Sequence, residues 1–156
     1  GVIYLVELNA NGDTLWTNSI DKKNGEVATF ITVINNDIVI SGYYRTSNTT
    51  FAGFVMRLDA TGKEIWYKSL QTDGFESPVN IAGTSSNEIV VVGTKTGQLN
   101  IVRLDFISGS ILSNVTKSGY RGPNDFQLTA DGGLVITGGY YDKSGTFFMK
   151  TDQNGN

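Results

Sequence analysis

The side chains able to do acid–base or metal chemistry in this 156-residue chain are mostly carboxylates. There are 15 Asp and Glu residues, but no His and no Cys. This composition excludes thiolate nucleophiles, His-based triads, disulfides and most zinc sites. Glycoside hydrolysis needs a matched carboxylate pair, and the acids not assigned to turns are Glu26, Asp73, Glu76, Asp125 and Asp142. They form no nucleophile–base set, so we predict a protein that is not an enzyme and has no cofactor or metal of its own.

Several Asp and Asn residues precede a glycine in turn-like segments. The segment Asn9-Ala10-Asn11-Gly12-Asp13 superficially mimics a calcium loop. An EF-hand loop needs a bidentate Glu near position twelve and flanking helices, and the sequence has neither. Turn geometry is therefore the favoured interpretation, and it extends to five more acids: Asp37, Asp59, Asp105, Asp131 and Asp152.

One segment type occurs four times, at 4–16, 54–66, 100–112 and 147–155. In each copy an alternating apolar run leads into Asp or Asn, a glycine follows a few residues later, and in the first three copies a second alternating run comes after it. This spacing predicts a β-hairpin in which glycine supplies a positive φ.

Two more strand-like runs precede each of the last three hairpins, so the repeating unit is predicted to be four short antiparallel strands, A to D. In the second unit these are Val27–Ile34, Ile38–Tyr43, Phe54–Asp59 and Glu64–Ser69. Units recur about every 45 to 50 residues, the period of propeller blades. The predicted fold is all-β, with about three β-propeller blades' worth of chain. Strands C and D of a first blade occupy 1–20, a second blade 21–70, a third 71–117, and strands A to C of a fourth 118–156.

A closed propeller ring needs at least about four blades. We therefore expect the chain either to be a piece of a larger propeller or to complete a ring together with identical chains. The first arrangement is favoured, because neither terminus of the sequence carries a capping feature.

The spacings Asp59-x-x-Gly62-x-x-x-Trp66 and Asn9-x-x-Gly12-x-x-x-Trp16 resemble the pyrroloquinoline-quinone-like propeller repeat. The segment 129–138, followed by 148–152, resembles related repeats of bacterial secreted and surface proteins. The resemblance implies that both tryptophans dock between adjacent blades, and that Leu112 keeps this packing apolar in the third unit. If Trp66 is buried, replacing it with Ala is expected to cost about 3 to 5 kcal/mol. The same blade type serves dehydrogenases, assembly factors, lectins and adhesins, so the resemblance implies a fold more than a function.

The B–C and D–A connections of a propeller lie on one face, which is usually the binding face. Aromatic side chains beside Arg on this face suit sugar stacking or a protein hot spot. Asp125, counted back from the turns, takes the same place on strand A as Thr29 and Asn80, near the mouth of the predicted channel. The alternative is that these tyrosines pack between blades and the polar positions are simply solvated. The candidate ligand-binding residues are Tyr43, Tyr44, Arg45, Lys95, Tyr120, Arg121, Asp125, Tyr141 and Asp142.

Charge and hydropathy narrow the range of partners. The formal net charge is -3 and basic residues are scattered, which argues against nucleic-acid binding. No apolar run approaches the roughly twenty residues of a membrane-spanning helix, so no membrane insertion is expected. Turns rich in Asn, Ser, Thr and Gly favour an extracellular or cell-surface setting.

We therefore predict a non-enzymatic propeller segment that binds a protein or glycan, or acts as a scaffold, in a secreted or cell-surface protein. The alternative is a fragment of a propeller enzyme, either quinone-dependent or glycoside-processing, whose active site lies outside this chain.

Overall fold

The computed structural model describes residues 1–22, 25–140 and 144–156. The chain is all-β and built of antiparallel sheets, one of them curled like half of a barrel. No helical segment in the described ranges has the length and apolar character of a membrane-spanning helix. The strands are β1 (Ile3–Leu8), β2 (Thr14–Ile20), β3 (Val27–Ile34), β4 (Asp37–Arg45), β5 (Phe51–Leu58), β6 (Glu64–Ser69), β7 (Phe75–Gly83), β8 (Glu88–Lys95), β9 (Gln98–Asp105), β10 (Ile111–Leu128), β11 (Leu134–Tyr140) and β12 (Thr146–Thr151), with a 3-10 turn at Gln71–Asp73.

The strands form three sheets. β1 and β2 pair with each other, β3 to β6 pair in chain order, and β7 to β12 form a six-stranded sheet in chain order. The four strands predicted for the second unit are thus present as one antiparallel sheet. The third and fourth units differ from the expected separate sheets, because position 118 lies inside the continuous strand β10. The first part of β10 pairs with β9 and the last part with β11, with a register shift between Lys117 and Arg121.

The hydrophobic core lies between successive units, in three clusters. One joins β1 and β2 to the second unit, one joins the second unit to the third, and one joins the third to the fourth. Phe54, Val55 and Met56 are consecutive in β5 and all have no exposed surface. Neighbouring side chains of a strand point to opposite faces, so both faces of this sheet are covered. Each such fully buried side chain contributes about 1.5 to 3 kcal/mol.

The two tryptophans each contact the hairpin turn of the next unit, as expected for docking between units. A Cβ added at Gly62 would lie 2.7 Å from Trp16 Cη2, and one added at Gly109 would lie 2.9 Å from Trp66 Cδ2. Trp66 Nε1 also donates a hydrogen bond to the carbonyl oxygen of Phe106, at 3.1 Å. Trp66 is half-buried rather than fully buried.

The third unit does not keep this packing, and the expectation for Leu112 is wrong. The amide of Asp59 donates to the carbonyl of Lys63, whereas that of Asp105 donates to the carbonyl of Ser110, so the third hairpin turn is one residue longer. Arg57 is therefore paired with Trp66, but Arg103, two residues before its own turn, is paired with Ser113. Ser113 takes the tryptophan position, and Leu112 lies at the bulge with 54% of its surface exposed.

The Asx–Gly segments are hydrogen-bonded turns, which confirms the turn interpretation for them. Asp59 Oδ1 accepts hydrogen bonds from the backbone amides of Thr61 and Lys63, at 2.9 and 3.0 Å. The side-chain hydroxyl of Thr61 is the main cause of a lowered pKa at Asp59. A side-chain oxygen accepts hydrogen bonds from backbone amides of the same turn in three further cases, at Asn9, Asp105 and Asp152.

Replacing Trp66 with Ala should lower the free energy of unfolding by about 2 to 3 kcal/mol, less than for a fully buried tryptophan. Trp66→Phe keeps most of the ring packing but removes the indole donor to Phe106, so it should cost about 1 kcal/mol. Ile65→Ala, at the exposed bulge beside it, is the control. Urea denaturation measures all three variants, and a loss below about 1 kcal/mol for Trp66→Ala would contradict the role in packing.

Gly62 and Gly12 separate packing from backbone strain. Both have positive φ, +79° and +88°, but only Gly62 has a neighbour within 4 Å of an added Cβ. Gly12→Ala should therefore cost about 1 kcal/mol for the left-handed conformation alone. Gly62→Ala should cost about 1 to 3 kcal/mol more, because the new methyl group overlaps the Trp16 ring. Equal losses in urea denaturation would show that Trp16 does not press on this turn.

The hydrogen-bonded carboxylates of the turns should make the stability of the fold sensitive to acid. The pKa values of Asp59, Asp105 and Asp152 lie below 3.8, through hydrogen bonds to the charged form. A lowered folded-state pKa contributes stability above the unfolded-state value, and this contribution is lost as pH falls through the folded-state value. The free energy of unfolding should therefore decrease between about pH 5 and about pH 3.

The triple variant Asp59→Asn, Asp105→Asn, Asp152→Asn is the control for this pH dependence. Asn9 already uses an amide oxygen in the same turn, accepting from the amides of Asn11 and Asp13 at 2.9 Å. The variant should fold and lose stability less steeply on acidification, as followed by urea denaturation. An equally steep loss would assign the acid sensitivity to other groups.

Candidate functional site

A polar groove of about 590 Å³ lies between the third and fourth units. It opens at one end of the sheets. This end carries two turns of each unit, one between its first and second strands and one between its third and fourth strands. Its side chains are mainly hydroxyls, amides and ion-paired charges. The residues that line it are Thr84, Ser85, Ser86, Glu88, Arg103, Leu112, Ser113, Ala130, Asp131, Gly132, Gln153 and Asn154.

The groove exists because two large side chains of the preceding junction have small or polar counterparts here. Between the second and third units, Trp66 packs on the next turn and Phe106 lies beneath the guanidinium of Arg57, at 3.8 Å. In the following junction Ser113 takes the place of Trp66. In the fourth unit the residue after the turn aspartate is Gln153, whereas in the third unit it is Phe106. Both replacements line the groove.

Arg103 forms the inner wall of the polar groove in a fixed position. Its Nη1 lies 3.1 Å from Glu88 Oε2, and its Nη2 donates to the carbonyl of Gly132 at 3.0 Å. The side chain is only 8% exposed. Its Nε has no hydrogen-bond partner among the described residues. Arg57 makes the corresponding ion pair with Asp37 in the second unit, at 2.6 Å, so this cross-strand pair is a repeated feature.

Each of the two carboxylates of the polar groove has a cationic partner. Glu88 is paired with Arg103. The ammonium group of Lys150 lies 2.6 Å from Asp131 Oδ2 and, together with hydrogen bonds from Thr129 and Gly133, holds the pKa of Asp131 well below its usual range. At neutral pH Asp131 is therefore a hydrogen-bond acceptor rather than a proton donor. Asp131 lies in the turn predicted for it, whereas Asp37, also assigned to a turn from the sequence, is the first residue of β4 and pairs with Arg57 across the sheet.

The remaining polar groups come from two turns far apart in the chain. Thr84, Ser85 and Ser86 belong to the turn between β7 and β8, and Thr84 Oγ1 lies 2.9 Å from Ser86 Oγ. Gln153 and Asn154 belong to the turn after β12. Hydroxyls both donate and accept hydrogen bonds, and amides supply both functions at separate atoms. The polar groove is thus equipped to hydrogen-bond a neutral ligand that carries many hydroxyl groups.

The described residues among those predicted from the sequence for ligand binding lie towards the opposite end of the sheets, and several have structural roles. Tyr44 is buried, with its hydroxyl 2.7 Å from Ser69 Oγ and 3.1 Å from Gln71 Oε1. Tyr43 packs edge-on against Phe51, and the guanidinium of Arg45 lies 5.6 Å from the centre of the same ring. Tyr43 and Arg45 are thus brought together, whereas Tyr44 belongs to the core.

The other predicted positions are dispersed. Tyr120 packs against Phe147, with ring centroids 4.8 Å apart, in the core between the third and fourth units. Lys95 is half-buried at the end of β8. Arg121 is exposed and paired with Gln98 in register. Tyr141 and Asp142 lie outside the described residues.

Asp125 does meet one of its predicted counterparts. Asn80 Nδ2 donates to Asp125 Oδ1 at 2.6 Å, which joins the third and fourth units. The strand register places Asn80 opposite Val92 and Asp125 opposite Thr137. At that position the second unit has Phe30, because Thr29 falls in a β-bulge. The second unit therefore has an aromatic side chain at this position, where the sequence predicted Thr29.

Three of the other acids that the sequence did not assign to turns accept hydrogen bonds from neighbouring groups. Glu26 is buried and accepts a hydrogen bond from the amide of Lys22, and Glu76 accepts one from the amide of Gly97. Asp73 accepts one from the hydroxyl of Thr72. Within the described ranges, no three acidic side chains are grouped to hold a metal ion.

The polar groove was not predicted from the sequence, although one signal for it was visible. The turn glycine lies three positions after Asp59 in the second unit but four positions after Asp105 in the third. Because of the inserted residue, Ser113 rather than Leu112 takes the tryptophan position, and Leu112 contributes an exposed apolar side chain to the lining of the groove.

The chain was compared with models of known protein families and with curated proteins. No family model matches it, and no curated protein matches it.

Proposed function

We propose that the chain is a segment of a β-propeller. Three observations support this arrangement: the four-stranded antiparallel unit β3–β6, the recurrence of the same hairpin at about 45 to 50 residues, and the core clusters between successive units. In a propeller each blade covers the face of the next one. The internal strand β5 is buried on both faces in the same manner.

We further propose that this segment binds a glycan in the polar groove, as part of a secreted or cell-surface protein. The observation that carries the proposal is the loss of both aromatic side chains at this junction, which leaves a hydroxyl- and amide-lined groove of about 590 Å³. That volume falls within the range of about 300 to 1,000 Å³ found for small-ligand sites. The exposed side chain of Leu112 offers apolar surface to the C–H groups of a sugar ring.

The role is binding rather than hydrolysis. Glycoside hydrolysis requires one carboxyl group that carries a proton and a second that is charged. In the polar groove Asp131 is held ionised by Lys150, and Glu88 is paired with Arg103. The lowered pKa of Asp131 leaves that carboxyl group without a proton to donate to a leaving group at neutral pH.

The test is binding of the purified chain to a panel of immobilised neutral oligosaccharides. Ser113→Trp restores a tryptophan at the repeat position and should fill the groove, lowering the affinity for any retained oligosaccharide at least about tenfold. Gln153→Ala removes one amide without filling the groove and should weaken binding about fivefold. Isothermal titration with the best oligosaccharide of the panel measures both effects.

Ser118→Trp is the matched control, since it adds the same side chain at an exposed position outside the polar groove. This variant should bind like the unmodified chain. The proposal fails if the unmodified chain retains no oligosaccharide of the panel, or if Ser113→Trp is folded by circular dichroism and binds as tightly as Ser118→Trp.

A further inference from the structure

The guanidinium of Arg103 has unused hydrogen-bonding capacity at the inner wall of the polar groove. An arginine side chain donates through three nitrogen atoms. In Arg103 two of them are bonded, Nη1 to Glu88 Oε2 at 3.1 Å and Nη2 to the carbonyl of Gly132 at 3.0 Å, whereas Nε has no partner among the described residues. The side chain is only 8% exposed, which limits its access to water. Arg103 is therefore a buried cation with donors to spare.

Arg57, at the same position of the second unit, has no such free capacity. Its Nε and Nη2 both contact Asp37 Oδ2, at 2.7 and 2.6 Å, and its Nη1 donates to the carbonyl of Phe106 at 3.0 Å. The ring of Phe106 also lies against the guanidinium. Arg103 lacks both the aromatic ring and a bond from its third nitrogen atom, so the groove leaves to a ligand the place that Phe106 occupies in the second unit.

Apolar surface lies next to this donor. Arg103 of β9 is paired with Ser113 of β10, and Leu112 precedes Ser113 at the bulge. Leu112 lines the same groove and is 54% exposed. A ligand group that fits both Arg103 and Leu112 carries an acceptor oxygen and a methyl group on neighbouring atoms.

The charges of the polar groove indicate that this ligand group is neutral. Glu88 is paired with Arg103, and Lys150 holds the pKa of Asp131 well below its usual range. An anionic group would compete with Glu88 for the guanidinium and would meet a second negative charge at Asp131. A neutral carbonyl oxygen avoids both costs, and its hydrogen bond to a charged donor is stronger than one between neutral groups.

We propose that the polar groove recognises N-acetylated sugars, that is, oligosaccharides of N-acetylhexosamine. This inference rests on the proposed glycan binding and specifies its ligand class. The acetyl oxygen accepts a hydrogen bond from the Arg103 guanidinium, and the acetyl methyl group packs against Leu112. Gln153 and Asn154, in the turn after β12, offer acceptor oxygens for the amide N–H of the sugar.

Two tetrasaccharides that differ only in the acetamido group test this inference. Chitotetraose is built of N-acetylglucosamine and cellotetraose of glucose, and both have the same linkage. Isothermal titration of the purified chain should show about tenfold tighter binding of chitotetraose, because a charge-assisted hydrogen bond and a methyl contact are added.

Arg103→Lys tests the donor. It keeps a cation beside Glu88 but removes the planar set of N–H groups. The preference for chitotetraose over cellotetraose should fall to about twofold or less. Arg57→Lys is the matched control, because it makes the same change at the same position of the second unit, outside the polar groove, and it should keep the full preference.

Leu112→Ala tests the methyl contact at an exposed position that the core does not depend on. The preference for chitotetraose should fall about threefold, because apolar surface beside the acetyl group is lost. Ile65→Ala is the control. Ile65 lies at the corresponding bulge of the second unit, is exposed, and does not line the polar groove, so its variant should keep the full preference.

The inference is overturned if the unmodified chain binds the two tetrasaccharides equally, or if Arg103→Lys is folded by circular dichroism and keeps the full preference. Should Arg103→Lys not fold, the preference of the unmodified chain and its reduction in Leu112→Ala decide. Binding of cellotetraose without a preference for chitotetraose overturns this inference alone and leaves glycan binding in place. Binding of no oligosaccharide overturns both.

Discussion

Every internal sheet of this protein must bury two faces, and the rest of the structure follows from that constraint. Phe54, Val55 and Met56 in β5 are all fully buried, although they alternate between faces. A sheet with two apolar faces is stable in water only when another sheet covers each of them. The core is accordingly divided into layers between units, and a substitution at one junction affects two neighbouring units.

The junctions share a pattern of contacts, and function can arise where the pattern changes. A tryptophan on the last strand of a unit packs on the glycine of the next turn, and an arginine on the third strand pairs with an acid at the start of the second. Arg57 and Arg103 both keep this ion pair, but only Arg57 has an aromatic ring beneath its guanidinium. Removing aromatic volume while keeping the charged framework produces a rigid, polar cavity without rebuilding the fold. The framework also keeps Glu88 ion-paired with Arg103.

The polar groove between the third and fourth units offers hydrogen-bonding side chains on turns that are anchored by the strands beside them. It arises from small departures from the repeat. One residue is inserted in the hairpin turn of the third unit, and Gln153 of the fourth unit stands where the third unit has Phe106.

The sequence by itself determined the all-β class, the hairpins, the strands of the second unit and the turn role of Asn9, Asp59, Asp105 and Asp152. These features are local, because alternation of apolar residues and the bonding of a short polar side chain to nearby amides depend on neighbours within a few positions. The tertiary structure alone decided that Ser113 rather than Leu112 takes the tryptophan position, since one inserted residue shifts the register of the strand after the turn. It also decided that Tyr44 belongs to the core and that Asn80 meets Asp125. The polar groove combines turns as distant in the chain as Thr84 and Asn154, and such proximity depends on how the units pack, which no local pattern encodes.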